Sequence, residues 1–364
     1  MRAMLKERQQ RLHTMMERQG YDCILAAPSS DLFFLTGVRV GLSERFTCAV
    51  FTRQETHFFS PEFELGNLEE ETRRSACIHG WNDGDDPFAP AASILRNHRH
   101  IGVARHVPSW MLLEFQKRCP ECLFSDATGL LGDLRVIKSP EEQEILRDVQ
   151  HRTGSVFTRI LQEGVGGHTE RQIADKYVRY CAELGIDSTG PMVASGPNTW
   201  LPHHHTGDRV IRDGDVVFLD FGGRDRRTFF RGDTTRTFAV GHIPDGLKEI
   251  YDIVREANEA AFRAVRPGVP CRDVDRAARD VIERAGYGSC FTHRLGHGLG
   301  LDMHERPFCG GSSDEIVRVG QVFSDEPGIY LPDRFGVRIE DILVVREDGA
   351  ERLTDLTHEL LVVD

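Results

Sequence analysis

The sequence predicts an α+β protein of two domains, with a smaller α/β domain over residues 1–135 and a larger domain over residues 136–364. In the first part, short apolar runs alternate with helical stretches, which is typical of α/β domains. The second part contains a faint internal repeat in which helices are followed by strand-like segments. A strong helix-start signal lies between the two patterns, and we therefore expect the domains to be joined without a long linker.

In the first domain we expect strands at the apolar runs CILAA, LFFLTG, FTCAVFT, THFFS and HIGVA. Helical patterns over residues 3–19 and 108–118 accompany them. The domain has few clustered candidate ligands. A lone CxxC motif, Cys119 to Cys122, is a weak metal or redox signal, and most of the nine scattered cysteines are expected to be buried thiols.

The helix-start signal lies in the segment LRVIKSPEEQEIL. Ser139 is a good N-cap residue, Pro140 suits the first helical position, and Glu142 completes a capping box. The segment therefore predicts a long helix that opens the second domain.

The internal repeat relates residues 163–185 to residues 266–286. Each segment contains a capped amphipathic helix, follows another helix near 142–162 or 247–265, and precedes strand-like sequence. The pattern predicts two similar halves, each with a helix pair and a sheet, packed about a pseudo-twofold axis.

Composition and charge exclude several classes of protein. The chain of 364 residues is 40% hydrophobic and 28% charged, as expected of a globular protein, and its net charge of −12 argues against nucleic-acid binding by bulk attraction. No apolar run approaches the length of a transmembrane helix, and the N-terminus has no apolar signal core. We therefore expect a cytoplasmic protein with neither a nucleic-acid nor a membrane partner.

The stretch GHGLGLDMHERP, residues 296–307, has glycines at every second position from Gly296 to Gly300 and two histidines, His297 and His304, seven positions apart. It is not a dinucleotide fingerprint, because its spacing is G-x-G-x-G and Pro307 interrupts any following helix. It is not a zincin motif, because no second histidine follows at the required spacing. Alternating glycines suit a close-packed strand, and we expect partners for these histidines elsewhere in the chain.

Four acidic residues occur on strand-like sequence in the same domain. Asp220 ends the apolar run VVFL, Asp233 lies in RGDTTRTFAV, Glu326 in SDEPGIY and Glu340 in RIEDILVV. Buried carboxylates are costly unless they are paired, hydrogen-bonded or metal-bound, and each acid alone would be read as a salt-bridge partner. Together with His297 they would repel one another strongly, and a pair of divalent cations would resolve that repulsion.

These segments carry a resemblance to a known family. The motifs IKSPEE, SGPNTWLPHHH, LDFGG, GDTTRTF, GHGLGLDMHERP, DEPGIY and RIED occur in the order seen in the pita-bread metallopeptidases, which include Xaa-Pro dipeptidase (prolidase), aminopeptidase P and methionine aminopeptidase. The resemblance covers residues 136–364 strongly and implies a pita-bread fold there. The first part, including SSDLFFLTGV, resembles the creatinase-type N-terminal domain.

The resemblance implies a dinuclear metal centre held by Asp220, Asp233, His297, Glu326 and Glu340. It implies that Glu326 also acts in catalysis by moving a proton. The metals implied are two divalent ions, with manganese expected and cobalt, zinc or iron as alternatives.

Further residues match positions that contact substrate in the family. His304 and His203 match histidines that bind the substrate and the tetrahedral intermediate, so both are candidate catalytic residues. Arg338 matches an arginine that assists the substrate or the bridging acid. His204 and His205 are expected to be solvated neighbours of His203.

The function implied is hydrolysis of Xaa-Pro bonds at the N-terminus of a small peptide with proline in second position, by a homodimeric Xaa-Pro dipeptidase. Aminopeptidase P activity on longer peptides is an alternative. So is a creatinase-like or ectoine-hydrolase-like C–N hydrolase with a non-peptide substrate. A non-enzymatic binding module on this fold is disfavoured, because the full ligand set is present.

The chain departs from the family pattern at two positions. Asp220 and Asp233 are thirteen positions apart, two more than the family usually has. An insertion of two residues keeps strand alternation in phase, so both aspartates can still face inward, and the extra length falls at residues 224–227. The second departure is the acidic Asp325 beside Glu326, which alternation would direct away from the metals unless it tunes the site as a neighbouring acid.

Overall fold

The computed structural model describes residues 2–68 and 70–364. The chain divides into two compact units, one ending at Arg135 and the other beginning at Val136. No helix in these described ranges is both long and apolar enough to cross a membrane.

The N-terminal unit is a mixed sheet with accompanying helices, as the alternating pattern predicts. Its helices are α1 (Arg2–Gln19), α2 (Ser30–Thr36), α3 (Glu70–Ser75), α4 (Ala89–Leu95), α5 (Ser109–Arg118) and α6 (Thr128–Arg135). Its strands are β1 (Cys23–Ala26), β2 (Cys48–Thr52), β3 (Thr56–Pro61), β4 (Cys77–Trp81), β5 (His100–Val103) and β6 (Leu123–Asp126). The sheet order is β4-β3-β2-β1-β5-β6, and β1, β2 and β3 pair antiparallel while the other neighbours pair parallel.

One expected strand is a helix. The run LFFLTG belongs to α2, whose N-cap Ser29 accepts a hydrogen bond from the Leu32 amide. Gly37 ends the helix in the left-handed region, at φ 73°. A short apolar run fits both a buried strand and a buried helix, and here the two caps favour the helix.

The C-terminal unit contains two successive helix pairs, each followed by strands that pair antiparallel, except that the last strand pairs parallel with a strand of the first half. Its helices are α7 (Pro140–Glu163), α8 (Glu170–Glu183), α9 (Leu247–Ala264) and α10 (Cys271–Arg284). The strands after the first pair are β7 (Ile186–Asp187), β8 (Met192–Ser195), β9 (Val216–Asp225) and β10 (Arg231–Val240). Those after the second pair are β11 (Gly296–Gly298), β12 (Glu305–Cys309), β13 (Val322–Asp325), β14 (Gly328–Tyr330), β15 (Gly336–Arg338), β16 (Asp341–Arg346), β17 (Gly349–Arg352) and β18 (Val362–Val363).

This unit contains two main sheets and two main apolar cores, and the C-terminal strand β18 joins the first sheet. The first sheet has the order β18-β10-β9-β7, with β8 also paired to β9, and the second has the order β12-β11-β13-β16-β17. Apolar side chains of α7 and α8 pack on β9 and β10, and those of α9 and α10 pack on the second sheet. The repeat in the sequence therefore corresponds to two helix-pair-plus-sheet halves.

The helix starts explain where these elements begin. Ser139 and Glu142 form the expected capping box, with Pro140 in the first turn of α7. Thr169 and Gln172 form a second capping box on α8. The expectation that α10 is capped in the same way is wrong, because its N-cap position is Pro270, whose ring offers no side-chain acceptor.

Replacing Ser139 with alanine should destabilise the C-terminal unit by about 1 kcal/mol, since it removes the acceptor for a backbone amide at the start of α7. Urea unfolding followed by circular dichroism would measure this. Ser155→Ala is the matched control, because that hydroxyl is exposed within the same helix and only bonds back to the Arg152 carbonyl oxygen. Equal stability of the two variants would contradict a role for the cap.

Candidate metal centre

The β9–β10 hairpin places two of the candidate acids on one face. In its antiparallel register Asp220 is opposite Thr235, and Asp233 is opposite Gly222. Residues paired in this way point to the same side of a sheet, and so do residues two apart on one strand. The longer spacing therefore preserves the alternation, and both aspartates face the same way.

Strand β11 brings His297 to this face through close approach of its neighbours. A Cβ atom at Gly296 would lie 1.9 Å from the Ser324 carbonyl oxygen, and one at Gly298 would lie 2.2 Å from the Arg306 carbonyl oxygen. Only glycine fits such gaps. The alternating glycines thus let β11 pack between β12 and β13, and the His297 side chain is buried.

Glu326 and Glu340 come from the ends of other strands in the second half. Glu326 follows β13, and its amide donates to the Leu295 carbonyl oxygen. Glu340 lies between β15 and β16, and its amide donates to the Thr235 carbonyl oxygen at 3.0 Å. These backbone bonds fix both glutamates against the strands that carry the other acids.

The five side chains converge on one place. Ligand atoms of Asp233, His297 and Glu340 all lie within 4.8 Å of one another. His297 Nε2 is 3.3 Å from a Glu326 carboxylate oxygen and 3.7 Å from one of Asp233. Asp220 is close enough to Asp233 to raise the pKa of that carboxyl.

The candidate acids are not equally buried, and the sequence did not predict this difference. Asp233 and Glu340 are buried, as expected. Asp220 was expected to be largely buried, but its side chain is 29% exposed. It ends an apolar run and yet points into an open cavity, where Arg338 Nη2 donates to it at 2.6 Å.

The electrostatics of the cluster reflect burial of like charges. Burial, followed by repulsion from neighbouring carboxylates, raises the pKa of Asp233 and of Glu340 well above the usual range. Burial likewise raises the pKa of Glu326 to about 7, although Arg338 opposes this effect. A cation bound among these groups would remove the repulsion that drives the shifts.

The residues fit a divalent metal. His297 Nδ1 is 3.1 Å from the Gly298 carbonyl oxygen, which can only accept, so the ring proton is on Nδ1 and the lone pair of Nε2 faces the carboxylates. Burial lowers the pKa of His297 to about 3, which keeps the ring neutral. Glu340 Oε1 is buried and has no hydrogen-bond partner within the described ranges. Acceptors that face one another without a donor are what a cation would satisfy.

The residues expected to bind substrate lie around this cluster. The His304 ring is 4.2 Å from the His297 ring, centroid to centroid, and is exposed. His203 is also exposed, and it lies near enough to His304 and His293 to contribute to the lowered pKa of each. Arg338 is buried and binds Asp220, and it also donates to the Pro202 carbonyl oxygen at 3.0 Å.

One expectation about the histidine run is wrong. His204 is not a solvated neighbour, because its Nε2 lies 2.8 Å from a carboxylate oxygen of the buried Glu170. The same carboxylate accepts hydrogen bonds from Ser195, Asn198 and the Gly207 amide. Glu170 thus anchors the segment that presents His203, while His205 is exposed.

Asp325 faces away from the cluster, as alternation predicts. Its register partner is Asp341, and the Asn258 side chain donates to its carbonyl oxygen. Asp341 in turn is bound by Arg236, at 2.7 Å. The two neighbouring acids of the motifs SDEP and RIED therefore lie on the opposite side from Glu326 and Glu340.

Two positioning residues were missed by reading the sequence. The Thr235 hydroxyl donates to Glu340 Oε2 at 2.8 Å and accepts from Arg338 Nε at 3.0 Å. The Tyr330 hydroxyl accepts from Arg338 and contacts His293. A threonine in a strand rich in β-branched residues and a tyrosine in a short strand are both ordinary in sequence, so neither role could be predicted.

The longer hairpin tip shapes the cavity beside the acids. Asp225 accepts hydrogen bonds from the Arg227 and Thr228 amides and thereby orders the turn. The hairpin wall contributes Arg224 and Arg231 to a cavity of about 370 Å³ that also contains Asp220 and Asp233. Of residues 224–227, Arg224 lines this cavity, and the longer hairpin leaves both aspartates on the same face.

Comparison with known proteins matches each unit to a family model. Residues 144–347 match the model of metallopeptidase family M24, and residues 8–137 match the creatinase/prolidase N-terminal domain. The chain is 35% identical to a probable dipeptidase PepE of Mycobacterium tuberculosis, over 94% of this chain and 92% of that protein. It is 31% identical to an Xaa-Pro dipeptidase of Pyrococcus furiosus, over 98% and 100%. A crystal structure of a Pyrococcus horikoshii dipeptidase superimposes with a TM-score of 0.91 at 35% identity, covering 98% of this chain and all of that one.

Thr235→Val should weaken divalent-metal binding by about 10–100-fold, the usual effect of removing a hydrogen bond that orients a ligand. The substitution leaves Glu340 Oε2 and Arg338 Nε without this partner. Chelator competition would measure the affinity.

The matched control for Thr235→Val is Thr237→Val, on the same strand and face. The Thr237 hydroxyl bonds only to the backbone of Arg338, so its loss should lower stability with metal affinity unchanged. Equal metal affinities in the two variants would contradict the orienting role of Thr235. The conservative variant Thr235→Ser should restore wild-type metal binding.

Proposed function

The chain belongs to metallopeptidase family M24, and from this membership we propose that it is an Xaa-Pro dipeptidase, which hydrolyses the bond before proline in a dipeptide. The observation that carries the proposal is the convergence of Asp220, Asp233, His297, Glu326 and Glu340 on one place, where Asp220 and Asp233 line an open cavity. Relatives matched over nearly their whole length are named dipeptidase and Xaa-Pro dipeptidase, which supports this substrate class.

We propose that these five residues hold two divalent ions. Their donor set of carboxylate oxygens and one imidazole suits manganese first, with cobalt, zinc or iron as alternatives. When bound, such ions lower the pKa of a water molecule and polarise the scissile carbonyl.

The protein's own side chains carry out the remaining steps of the reaction. Glu326 accepts the proton of the attacking water and passes it to the departing proline nitrogen. His304 and His203, both exposed beside the cluster, donate hydrogen bonds to the oxyanion of the tetrahedral intermediate. Arg338 holds Asp220 in place and contributes positive charge close to the substrate.

Arg231 supports a short substrate with a free carboxylate. Its guanidinium lines the cavity two residues from Asp233 and donates to the Leu301 carbonyl oxygen. Burial, and then the charge of Arg224 opposite, lowers the pKa of Arg231. Arg224 pairs with Asp187, so a substrate carboxylate would find its counter-charge at Arg231, and in a dipeptide a carboxylate is always near the scissile bond.

The resemblance to the family also supports a homodimer in the cytoplasm. We propose both as accompanying features of the dipeptidase, with light scattering as the measurement of mass in solution.

The proposal is tested by hydrolysis of Ala-Pro, Ala-Pro-amide and Ala-Pro-Ala after chelation, with each divalent metal added back separately. Metal-restored cleavage of Ala-Pro, with weaker cleavage of the amide and the tripeptide, is the expected result. Cleavage of the tripeptide alone would identify an aminopeptidase P. Metal binding without cleavage of any peptide would reject the proposal in favour of a non-peptide C–N hydrolase.

His304→Ala should lower kcat by about 10²–10³-fold, the usual cost of losing one oxyanion donor, with metal content unchanged. Steady-state kinetics and metal analysis on the same preparation measure both. His205→Ala is the matched control, because that histidine is exposed in the segment that carries His203. A fall in metal content that accounts for the lost activity would instead make His304 a ligand-supporting residue.

A further inference from the structure

The N-terminal unit contains a separate group of metal-ligating side chains. Glu55 lies just before β3, His57 lies within β3, and Cys77 begins β4. One ligand atom from each residue lies within 4.8 Å of the other two. Cys77 is exposed, in contrast to the buried thiols expected from the sequence.

The sheet register fixes this group. Strands β3 and β4 run parallel, and His57 is paired with Cys77. Side chains of paired residues point to the same side of a sheet, so the imidazole and the thiol are neighbours by virtue of the backbone. Strand β4 is at the edge of the sheet, and the group therefore lies where a solvent ion can reach it.

The His57 ring is oriented by a second histidine. His57 Nδ1 lies 3.2 Å from His79 Nε2, and His57 Nε2 lies 3.6 Å from a Glu55 carboxylate oxygen. The His79 ring is itself stacked on Phe59, with centroids 4.5 Å apart and planes 12° apart. If His57 donates from Nδ1 to His79, the lone pair of Nε2 faces Glu55 and Cys77. Metal-binding histidines are commonly held through their other nitrogen in this way.

We propose that Glu55, His57 and Cys77 bind a single zinc ion, with His79 as the residue that orients His57. Carboxylate, imidazole and thiolate are the ligands that zinc takes in proteins, and three of them leave the fourth tetrahedral position for water. Thiolate and imidazole together disfavour calcium and magnesium. Binding releases the thiol proton to solvent, because the thiolate is the ligand.

A bound ion would join the turn before β3 to the edge strand β4, and it should therefore stabilise this unit.

The competing arrangement needs no metal. In it, His79 donates to His57 Nδ1, and His57 donates from Nε2 to Glu55, which makes a hydrogen-bonded chain. The two arrangements differ in whether Cys77 becomes a thiolate ligand.

Cobalt(II) titration of the full-length protein tests the site through a signal that the dinuclear centre cannot give. A thiolate bound to Co²⁺ produces a charge-transfer band in the near ultraviolet, and no cysteine is among the ligands proposed for the dinuclear centre. We expect the band to appear, to saturate at one ion per chain and to be lost on addition of Zn²⁺. Absence of the band in the wild-type protein would overturn the proposal.

Two serine variants identify the thiolate that gives the charge-transfer band. Cys77→Ser should abolish it and leave peptidase activity at the wild-type level, and Cys122→Ser should retain it, because Cys122 is another partly exposed thiol of the same unit. A band that survives Cys77→Ser, or that disappears with Cys122→Ser, would overturn the assignment. His79→Phe should weaken Co²⁺ binding by about 10-fold or more if His79 orients His57, and an unchanged affinity would remove that role.

Discussion

The C-terminal unit depends on one electrostatic constraint: several carboxylates and a neutral imidazole are held close together where little water reaches them. Asp233, Glu340 and His297 are buried, and mutual repulsion adds to the cost of their desolvation. Arg338 offsets part of this repulsion at Asp220, through a hydrogen bond of 2.6 Å. Arg338 does not satisfy the whole group, because Glu340 Oε1 still has no hydrogen-bond partner among the residues described. The fold therefore maintains a high density of negative charge that metal binding would relieve.

Both halves of the repeat are needed to build this site. The first half supplies Asp220 and Asp233 from a hairpin, and the second half supplies His297 from within a short strand and Glu326 and Glu340 from positions next to strand ends. Thr235 joins the halves, since its hydroxyl contacts both Glu340 and Arg338 and its carbonyl oxygen accepts from the Glu340 amide. The two apolar cores also draw on both halves, since Val216 and Ala239 of the first half belong to the core of the second.

Sequence reasoning reached the fold class, the long helix α7 and the family, because each depends on local patterns or ordered motifs. The confirmed capping box needs only Ser139 and Glu142, which are three residues apart. Sequence reasoning failed where the environment of a residue depends on partners distant in the chain. The exposure of Asp220 depends on a cavity bounded by other segments, and the role of His204 depends on Glu170, thirty-four positions earlier. LFFLTG failed for a different reason, since a short apolar run has no period that separates strand from helix.

The group of Glu55, His57 and Cys77 is a clearer case of a feature that sequence reasoning misses because it depends on residues distant in the chain. The three residues are spread over more than twenty positions, with a helix between them, so no metal-binding motif is visible in the sequence. Only the parallel pairing of β3 with β4 makes His57 and Cys77 neighbours. The five residues of the proposed dinuclear centre, by contrast, lie in motifs whose order revealed the family. A site built by sheet register between strands with ordinary sequences can therefore be found only once the strand order is known, and this explains why the N-terminal unit appeared poor in ligands.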